Sequence, residues 1–408
     1  MLIVQKFGGS SVANKERIMN VAKRILETQQ QGNQVVVVLS AQGDTTDELI
    51  EKAMEINPKA SRREMDMLLS TGEQQSVALM AMAIDSLGGR AISLNAMQVG
   101  IDTTTTYSNA RIKTINTGRI EHELEQNKIV IITGFQGVNK FDDITTLGRG
   151  GSDTSAVALA AILHADCCEI YTDVEGIFTA DPRIVKDAYK LDEISYDEML
   201  ELASLGAKVL HSRSVELAKK YNVNMVVRSS MTRAEGTSVK EECKVEKMLI
   251  SGVAADKDVS RISLIGIKDE PGKAFEVFSL MAKEKISVDI ILQSVGRDDT
   301  KDISFTVAKS DLDLALKVLE ENKERLTVKE VVHDDKIAKL SIVGAGMATN
   351  PGVAALFFEA LYDAGVNISM ISTSEIKISV LVDEKEVENA LVTVHEKFKA
   401  ATASMRKM

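Results

Sequence analysis

Residues 35–39 read VVVVL, four valines and a leucine in a row, with no polar position among them before Ser40. A β-branched run without alternation is what a strand covered on both faces requires. The chain must therefore build a sheet with layers above and below it, and its neighbours supply those layers. Leu2, Ile3 and Val4 precede a stretch whose apolar positions, Ile18, Val21, Ala22, Ile25 and Leu26, fall at i, i+3, i+4, i+7 and i+8, the spacing of one helix face. Helical patterns return at residues 48–56, 61–87, 196–206 and 212–221. Short strands are expected at 91–94, 129–133, 169–172 and 224–228. Alternation of this kind over the first ~240 residues predicts an α/β domain, a mainly parallel central sheet between two helical layers. Ligands in such sheets bind beyond the carboxyl ends of the strands.

The texture changes after residue 245, where an internal repeat begins. ISLIGIKDEPGKAFEVFSLMAKEKISVDIILQS starts at Ile262, and LSIVGAGMATNPGVAALFFEALYDAGVNISMISTS at Leu340. Pro271-Gly272 aligns with Pro351-Gly352 at an offset of 80, and ISFTV from Ile303 with ISVLV from Ile378 at an offset of 75. Each copy reads strand, Pro-Gly turn, helix, strand, strand, helix. Two copies at this period are too few and too long for a solenoid or propeller, so they read as sister α+β domains. A Pro-Gly turn at a helix start leaves backbone N–H groups free to hold a small carboxylate; it is equally ordinary turn chemistry.

Two glycine loops in the first domain carry the candidate chemistry. KFGGSS, residues 6–11, sets Lys6 and Phe7 before Gly8 and Gly9, between a strand and a helix. It fits neither the Walker A nor the dinucleotide pattern. Glycines at a helix start nevertheless let backbone donors approach an anion, although such a loop can be no more than a turn. TTLGRGGSD, residues 145–153, places Arg149 among three glycines, followed by Ser152 and Asp153 at the head of an apolar helix. Ser or Asp there is normally an N-cap, but the guanidinium and glycines exceed what a cap needs. Two such loops can face one another across a transferring phosphoryl group. Further polar positions fall at strand ends or on helices: Ser40 and Thr46, Glu73 in STGE, Thr172, Asp173, Phe178, Asp181 and Arg183 in residues 171–183, and Lys208. Glu73 lies in an otherwise apolar helical segment; a solvated helix residue is the competing reading.

Composition closes off other classes. The 408 residues are 44% hydrophobic and 27% charged, which describes a globular chain of two to four domains. A net charge of −11 gives no support to nucleic-acid binding. The basic pair Arg62-Arg63 reads as a solvated helix face. No apolar run approaches the ~18 residues of a membrane span, and the opening MLIVQKFGG lacks the basic region of a signal peptide. Three cysteines, two of them adjacent, argue for a reducing cytoplasm rather than a disulfide framework. Neither they nor the five histidines show metal-ligand spacing.

KFGGSS, SAQGDTTDEL, EMDMLLSTGE, GFQG…TTLGRGGSD, YTDVEGIFTADPR and GAKVLHSRS, in this order, resemble the aspartate kinase family, of amino-acid-kinase fold, and the repeat resembles its paired ACT domains. The resemblance covers nearly the whole chain, which is similar to the bacterial lysine- or lysine-plus-threonine-regulated class. It implies a three-layer sandwich over residues 1–243 and two βαββαβ ACT domains over 249–335 and 336–408, with strand exchange between the two left open. It implies phosphorylation of the β-carboxylate of L-aspartate by ATP, with Mg2+ held mainly by phosphates and no protein metal site. Lys6 would stabilise the transferring group and Asp153 would orient Lys6. Ser40, Thr46, Glu73, Arg149, Gly150, Gly151 and Ser152 would form the aspartate pocket. Lys6, Phe7, Gly8, Gly9, Thr172, Asp173, Phe178, Asp181, Arg183 and Lys208 would hold the nucleotide.

Lysine or threonine, or both, would act as effectors at the ACT pair. The candidate residues are Asp269, Pro271, Gly272, Lys273, Ala274 and Gln293 in the first copy. In the second they are Asn350, Pro351, Gly352, Val353, Thr373, Ser374 and Glu375. A homo-oligomer is implied, or an α2β2 assembly with a regulatory subunit started at Met248, without nucleic-acid or membrane partners. The chain departs from the family pattern at Ser10, Gln42 and Ser212, where threonine, methionine and proline are usual. It also lacks an aromatic expected within residues 94–111. None of these removes a charged group. N-acetylglutamate, glutamate 5- and uridylate kinases share the fold without two ACT copies. A catalytically inactive amino-acid sensor is the alternative from another class.

Overall fold

The computed structural model describes residues 1–205, 209–241, 249–294, 299–348 and 350–405. They fall into two compact units. One holds Met1–Phe178, Lys190–Ser204 and residues 209–241; the other holds Thr179–Tyr189, Leu205 and the residues from 249 onward.

The strands of the first unit are β1 (Leu2–Phe7), β2 (Gln34–Leu39), β3 (Ala91–Leu94), β4 (Ile101–Thr103), β5 (Ile112–Ile115), β6 (Ile129–Thr133), β7 (Gln136–Val138), β8 (Ile144–Thr146), β9 (Cys167–Thr172), β10 (Glu193–Ser195), β11 (Met225–Ser229) and β12 (Thr237–Lys240). Its helices are α1 (Lys15–Gln30), α2 (Thr45–Ile56), α3 (Arg62–Ser86), α4 (Ala96–Val99), α5 (Gly118–Glu125), α6 (Gly151–Ile162), α7 (Tyr196–Ser204) and α8 (Ser212–Tyr221).

Eight strands form the main sheet in the order β10-β12-β11-β9-β1-β2-β6-β3. Every pairing is parallel except β11 with β12. The valine run lies in β2, and Val35 to Leu39 have no exposed surface, as a strand between two layers demands. On one face Val35, Val37 and Leu39 join Val21 and Ile25 of α1 and Met80 and Ile84 of α3 in a single core. Asn14 caps α1 by accepting the Arg17 N–H at 3.0 Å.

The chain runs from β1 outward through β2 and returns to the other side of β1 only at β9. The strand order therefore reverses at the β1–β9 pair, where such sheets open a crevice at their carboxyl ends. Lys6 is in register with Val38 on one side and Ile170 on the other. A second, four-stranded sheet, β5-β4-β7-β8, leads into the residue 147–151 loop. Arg62 and Arg63 are exposed, as a solvated helix face requires, and Arg63 makes surface pairs with Glu64 and with Asp143, both at 2.8 Å.

The second unit contains β13 (Gly252–Asp256), β14 (Ser260–Lys268), β15 (Ile291–Gln293), β16 (Thr300–Val307), β17 (Glu330–Asp334), β18 (Ile337–Val343), β19 (Met370–Thr373) and β20 (Lys377–Asp383). Its helices are α9 (Lys273–Lys283), α10 (Leu312–Glu321), α11 (Lys323–Leu326), α12 (Val353–Asp363) and α13 (Val387–Met405). The sheets run β15-β16-β14-β17 and β13-β18-β20-β19. The sequence repeat is thus one sheet-and-helix layer used twice. Strand β13 precedes the first copy in sequence but pairs with β18 of the second. Residues 179–189 also belong here. Ala180 and Val185 are buried with Val253, Phe357, Leu391 and Phe398, although the sequence alone attaches them to the loop after β9.

Candidate active site

Lys6, next to last in β1, points its ammonium at Asp153, in the first turn of α6; Nζ and Oδ1 are 2.6 Å apart and both side chains are nearly buried. This pair joins the two glycine loops that the sequence singles out. The Gly8 N–H donates to the Tyr171 carbonyl at 3.4 Å, tying the end of β1 to the end of β9. Phe7 and Tyr171 stack with ring centroids 4.5 Å apart just beneath. Gly9 accepts the Gly43 N–H at 3.0 Å. The loop after β2, with Ser40 at its start and Thr46 in the first turn of α2, is thereby drawn to the same end of the sheet. Gly150 caps α6 in the left-handed conformation, φ 65°, with the His211 side chain where its Cβ would stand. Only glycine fits there. Gly151 and Ser152 open the helix buried, while Arg149 is exposed at the loop tip.

Glu73 is not a solvated helix residue. It is 3% exposed, in the middle of α3, and Oε1 accepts the Ala41 N–H at 3.1 Å. Gly72 makes this approach possible, because a Cβ on it would stand 2.8 Å from the Ala41 methyl. Glu73 Oε2 has no hydrogen-bond partner among the described residues. Burial pushes the carboxyl up to about 7, against the opposing pull of the Ala41 N–H. A buried carboxylate with one bare oxygen is a place for a cation to bind.

Two side chains that sequence reasoning missed hold this architecture together. Asp66, two turns before Glu73 on α3, is fully buried. It accepts the N–H and hydroxyl of Ser108 and the N–H and hydroxyl of Thr146. Arg213 donates to the Leu147 carbonyl at 2.8 Å and to the Ala110 carbonyl at 2.9 Å. Together they brace the stem of the Arg149 loop. The seven-residue spacing of Asp66 and Glu73 along one helix was the available signal for the first; nothing local signals the second.

The remaining candidates are distributed differently. Thr172 donates its hydroxyl to Asp173 at 2.9 Å at the end of β9. Phe178 forms an isolated bridge with Lys190. Asp181 and Arg183 form an ion pair of 2.7 Å in the segment that packs with the second unit, and the guanidinium holds the Asp181 carboxyl below the usual range. Lys208 and Met248 lie outside the described residues. In the second unit Gly272 and Gly352 cap α9 and α12 with matching φ of 94° and 98°. The two Pro-Gly turns are therefore equivalent in conformation as well as in sequence. Next to them, Ala274 is exposed, and Lys273 and Val353 are buried. Asp269 pairs with Lys301 at 2.6 Å. Asn350 donates to the Gly346 carbonyl at 2.8 Å. Gln293, Thr373 and Glu375 are exposed, and the Ser374 N–H donates to the Lys377 carbonyl. No group of three or more His, Cys, Asp or Glu side chains converges among the described residues, and none of their helices is long and apolar enough to cross a membrane.

A sheet reversal flanked by glycine loops and crossed by a Lys–Asp pair defines a phosphoryl-transfer enzyme of the amino acid kinase class. Residues 1–229 match the amino acid kinase family, and residues 262–322 and 340–398 match the ACT domain. The aspartokinase of Corynebacterium glutamicum is 51% identical over 403 residues, covering 97% of this chain and 96% of its own. That of Geobacillus stearothermophilus is 52% identical over 398 residues, covering 97% of each. Among solved structures, E. coli aspartokinase III in complex with aspartate and ADP is 26% identical with a TM-score of 0.83, covering 97% of this chain and 99% of that one. The same enzyme in complex with lysine and aspartate gives 0.75. The chain belongs to the aspartokinases of the amino acid kinase family.

Proposed function

We propose that the chain transfers the γ-phosphoryl group of ATP to the β-carboxylate of L-aspartate, giving 4-phospho-L-aspartate and ADP. The observation that carries this reading is the Lys6–Asp153 pair, which joins both glycine loops at the sheet reversal. A carboxylate oxygen forms the new bond to phosphorus as the bond to the bridging oxygen of ADP breaks, and ADP leaves with the electron pair. The attacking carboxylate is already ionised at neutral pH, so no proton has to move. Catalysis reduces to positioning and neutralisation of charge. Lys6, held by Asp153, sits where it can offset charge on the transferring oxygens, and the backbone N–H of Gly9 adds a donor, with that of Gly8 to join it on release from the Tyr171 carbonyl. The bare oxygen of Glu73 suits the α-ammonium of aspartate. Arg149 suits its α-carboxylate, and Ser40 and Thr46 line the same pocket. Thr172, Asp173, Phe178, Asp181, Arg183 and Lys208 are assigned to the nucleotide. Mg2+ would neutralise phosphate charge, with its ligands mainly phosphate oxygens and water.

Lysine or threonine, or both, are proposed as feedback effectors at the paired turns of Gly272 and Gly352, each followed by a helix start. A product of the pathway that uses phosphoaspartate would thereby limit its own supply. A homo-oligomer, or an α2β2 assembly with a shorter regulatory subunit begun at Met248, and a cytoplasmic location complete the reading. Trapping the acyl phosphate with hydroxylamine tests it. Hydroxamate should form with aspartate but not with glutamate or N-acetylglutamate, and lysine, threonine or both should suppress it. Amino-acid binding without hydroxamate would favour the inactive sensor.

A further inference from the structure

The first unit carries a second concavity of about 500 Å3, and none of the glycine-loop residues lines it. Its walls are the outer sides of α6 and α8 and the strand β5, which ends its sheet and pairs only with β4. That volume falls within the range of small-molecule sites. The floor is apolar: Ala158, Leu217, Ile162 and Tyr221, the last two 47% and 55% exposed. The rim is cationic. Arg111, Lys113, Arg213 and Lys220 all line it, against the single carboxylate of Glu216.

Among the described residues none of these four cations has a carboxylate within ion-pair distance. Lys220 instead lies over the Tyr221 ring, 5.2 Å from its centroid. In a chain of net charge −11, four cations around one hollow with a single carboxylate are a local reversal of charge. Arg213 is the most exposed to this imbalance. It is half-buried, both its Nη groups donate to neutral carbonyls, and burial together with Arg111 lowers its proton affinity. A negatively charged ligand would relieve that repulsion.

We propose that this concavity binds a small organic anion, a phosphate or dicarboxylate carried on an apolar body. The anionic end would meet Arg111, Arg213 and the two lysines, and the body would cover Ile162 and Leu217. The site also reaches the catalytic loop. Arg213 holds the Leu147 carbonyl at the stem of the Arg149 loop, and the Thr154 hydroxyl on the same wall donates to the Gly150 carbonyl. Drawing Arg213 toward an anion loosens the loop, so occupancy raises the KM for aspartate while leaving kcat in place. This coupling rests on the proposed role of Arg149; the binding itself does not.

The test is a fluorescence titration of the full chain with 1-naphthyl phosphate, in saturating ADP to block the nucleotide site. Saturable binding should weaken at least tenfold in the Lys113→Glu, Lys220→Glu double variant and in Ile162→Glu, with basal kinase turnover unchanged, since all three side chains are on the surface. Equal affinity in wild type and both variants overturns the site. So does loss of binding as protein concentration rises, which would mean that a second copy of the chain covers the groove. An aspartate KM that rises with probe in wild type but not in the variants supports the coupling, and a KM indifferent to bound probe overturns it.

Discussion

Replacing Glu73 with glutamine should make the protein more stable and less able to bind aspartate, and the stability gain should depend on pH in a calculable way. The carboxyl is pushed up to about 7 by burial in the folded chain, against about 4.3 when unfolded. Between those values the folded state holds a proton that the unfolded state has released. Stability therefore falls as pH rises through this window, and the cost is complete above pH 7. From pH 5.5 to pH 8.5 the wild type loses about 2 kcal/mol from this one group. Glutamine does not titrate. Its own packing and hydrogen-bonding differences are the same at both pH values and cancel in the comparison.

The assay is thermal unfolding of wild type and Glu73→Gln at the two pH values. The variant's Tm advantage should grow by about 4–8 °C from pH 5.5 to 8.5, using the 2–4 °C per kcal/mol expected of a domain this size. A Tm difference that does not change with pH would refute the argument that Glu73 is a desolvated, titrating carboxyl. The same titration predicts the kinetics. Only ionised Glu73 can pair with the substrate ammonium, so the wild-type KM for aspartate should be flat above pH 7 and rise about tenfold per unit below it. In the variant the KM should be high at every pH.

Arg149→Lys keeps the charge but loses the two-pronged grip on a carboxylate; the KM for aspartate should rise roughly thirtyfold, with a much smaller change in the KM for ATP. Asp66→Ala strips the acceptor from two backbone N–H groups and two hydroxyls in a buried position, and should cost about 2–4 kcal/mol in urea unfolding. A loss below about 1 kcal/mol would mean that water replaces the carboxylate. Gly352→Ala meets no neighbouring atom, so its whole effect is backbone strain at φ 98°, about 1–2 kcal/mol. Inhibition by lysine or threonine should weaken in dose–response curves, with uninhibited turnover unchanged.

The layers of the first unit were legible because the valine run admits only a doubly covered strand and the 3.6-residue pattern of α1 supplies the cover. The repeat was legible because Pro-Gly recurs at a fixed offset. Lys6 and Asp153 could be named because their loops carry glycines in excess of what a turn needs. Asp66 and Arg213 could not, because their partners lie 80 and 66 residues away in sequence and their importance is entirely a matter of those contacts. Strand β13 was illegible for a related reason. Its side chains suit a strand in either copy, and only pairing with β18 decides which. The burial of Glu73 was hidden by its type: nothing in STGE says which face of a long helix points inward, and Gly72 beside it is informative only once Ala41 is known to be its neighbour.

Residues 179–189 are the case in which sequence order misleads most, and they yield the last prediction. They follow β9, and the family resemblance implies that Asp181 and Arg183 hold the nucleotide, yet their packing is with the second unit. Val253 donates its N–H to the Thr179 carbonyl, Lys399 pairs with Asp187, and Ala180 and Val185 are in that unit's core. The Thr179 hydroxyl lies 2.8 Å from Nε2 of His395 on α13 and accepts the Tyr189 N–H. The hydroxyl oxygen keeps a second lone pair after accepting that N–H, so it can bond to His395 in either direction, whichever ring tautomer is present. Burial, and Lys399 close by, lower the imidazole's proton affinity, with Asp187 and Glu396 opposing. His395→Phe keeps a ring in the same space and removes the hydrogen-bond partner, so it frees the Thr179 hydroxyl at the start of the segment. The KM for ATP should then rise several-fold while the KM for aspartate stays put, and Asn in place of Phe should restore part of the loss. Parallel changes in both constants would show that His395 only supports the fold, and that residues 179–189 reach the nucleotide no more directly than any other part of the second unit's core.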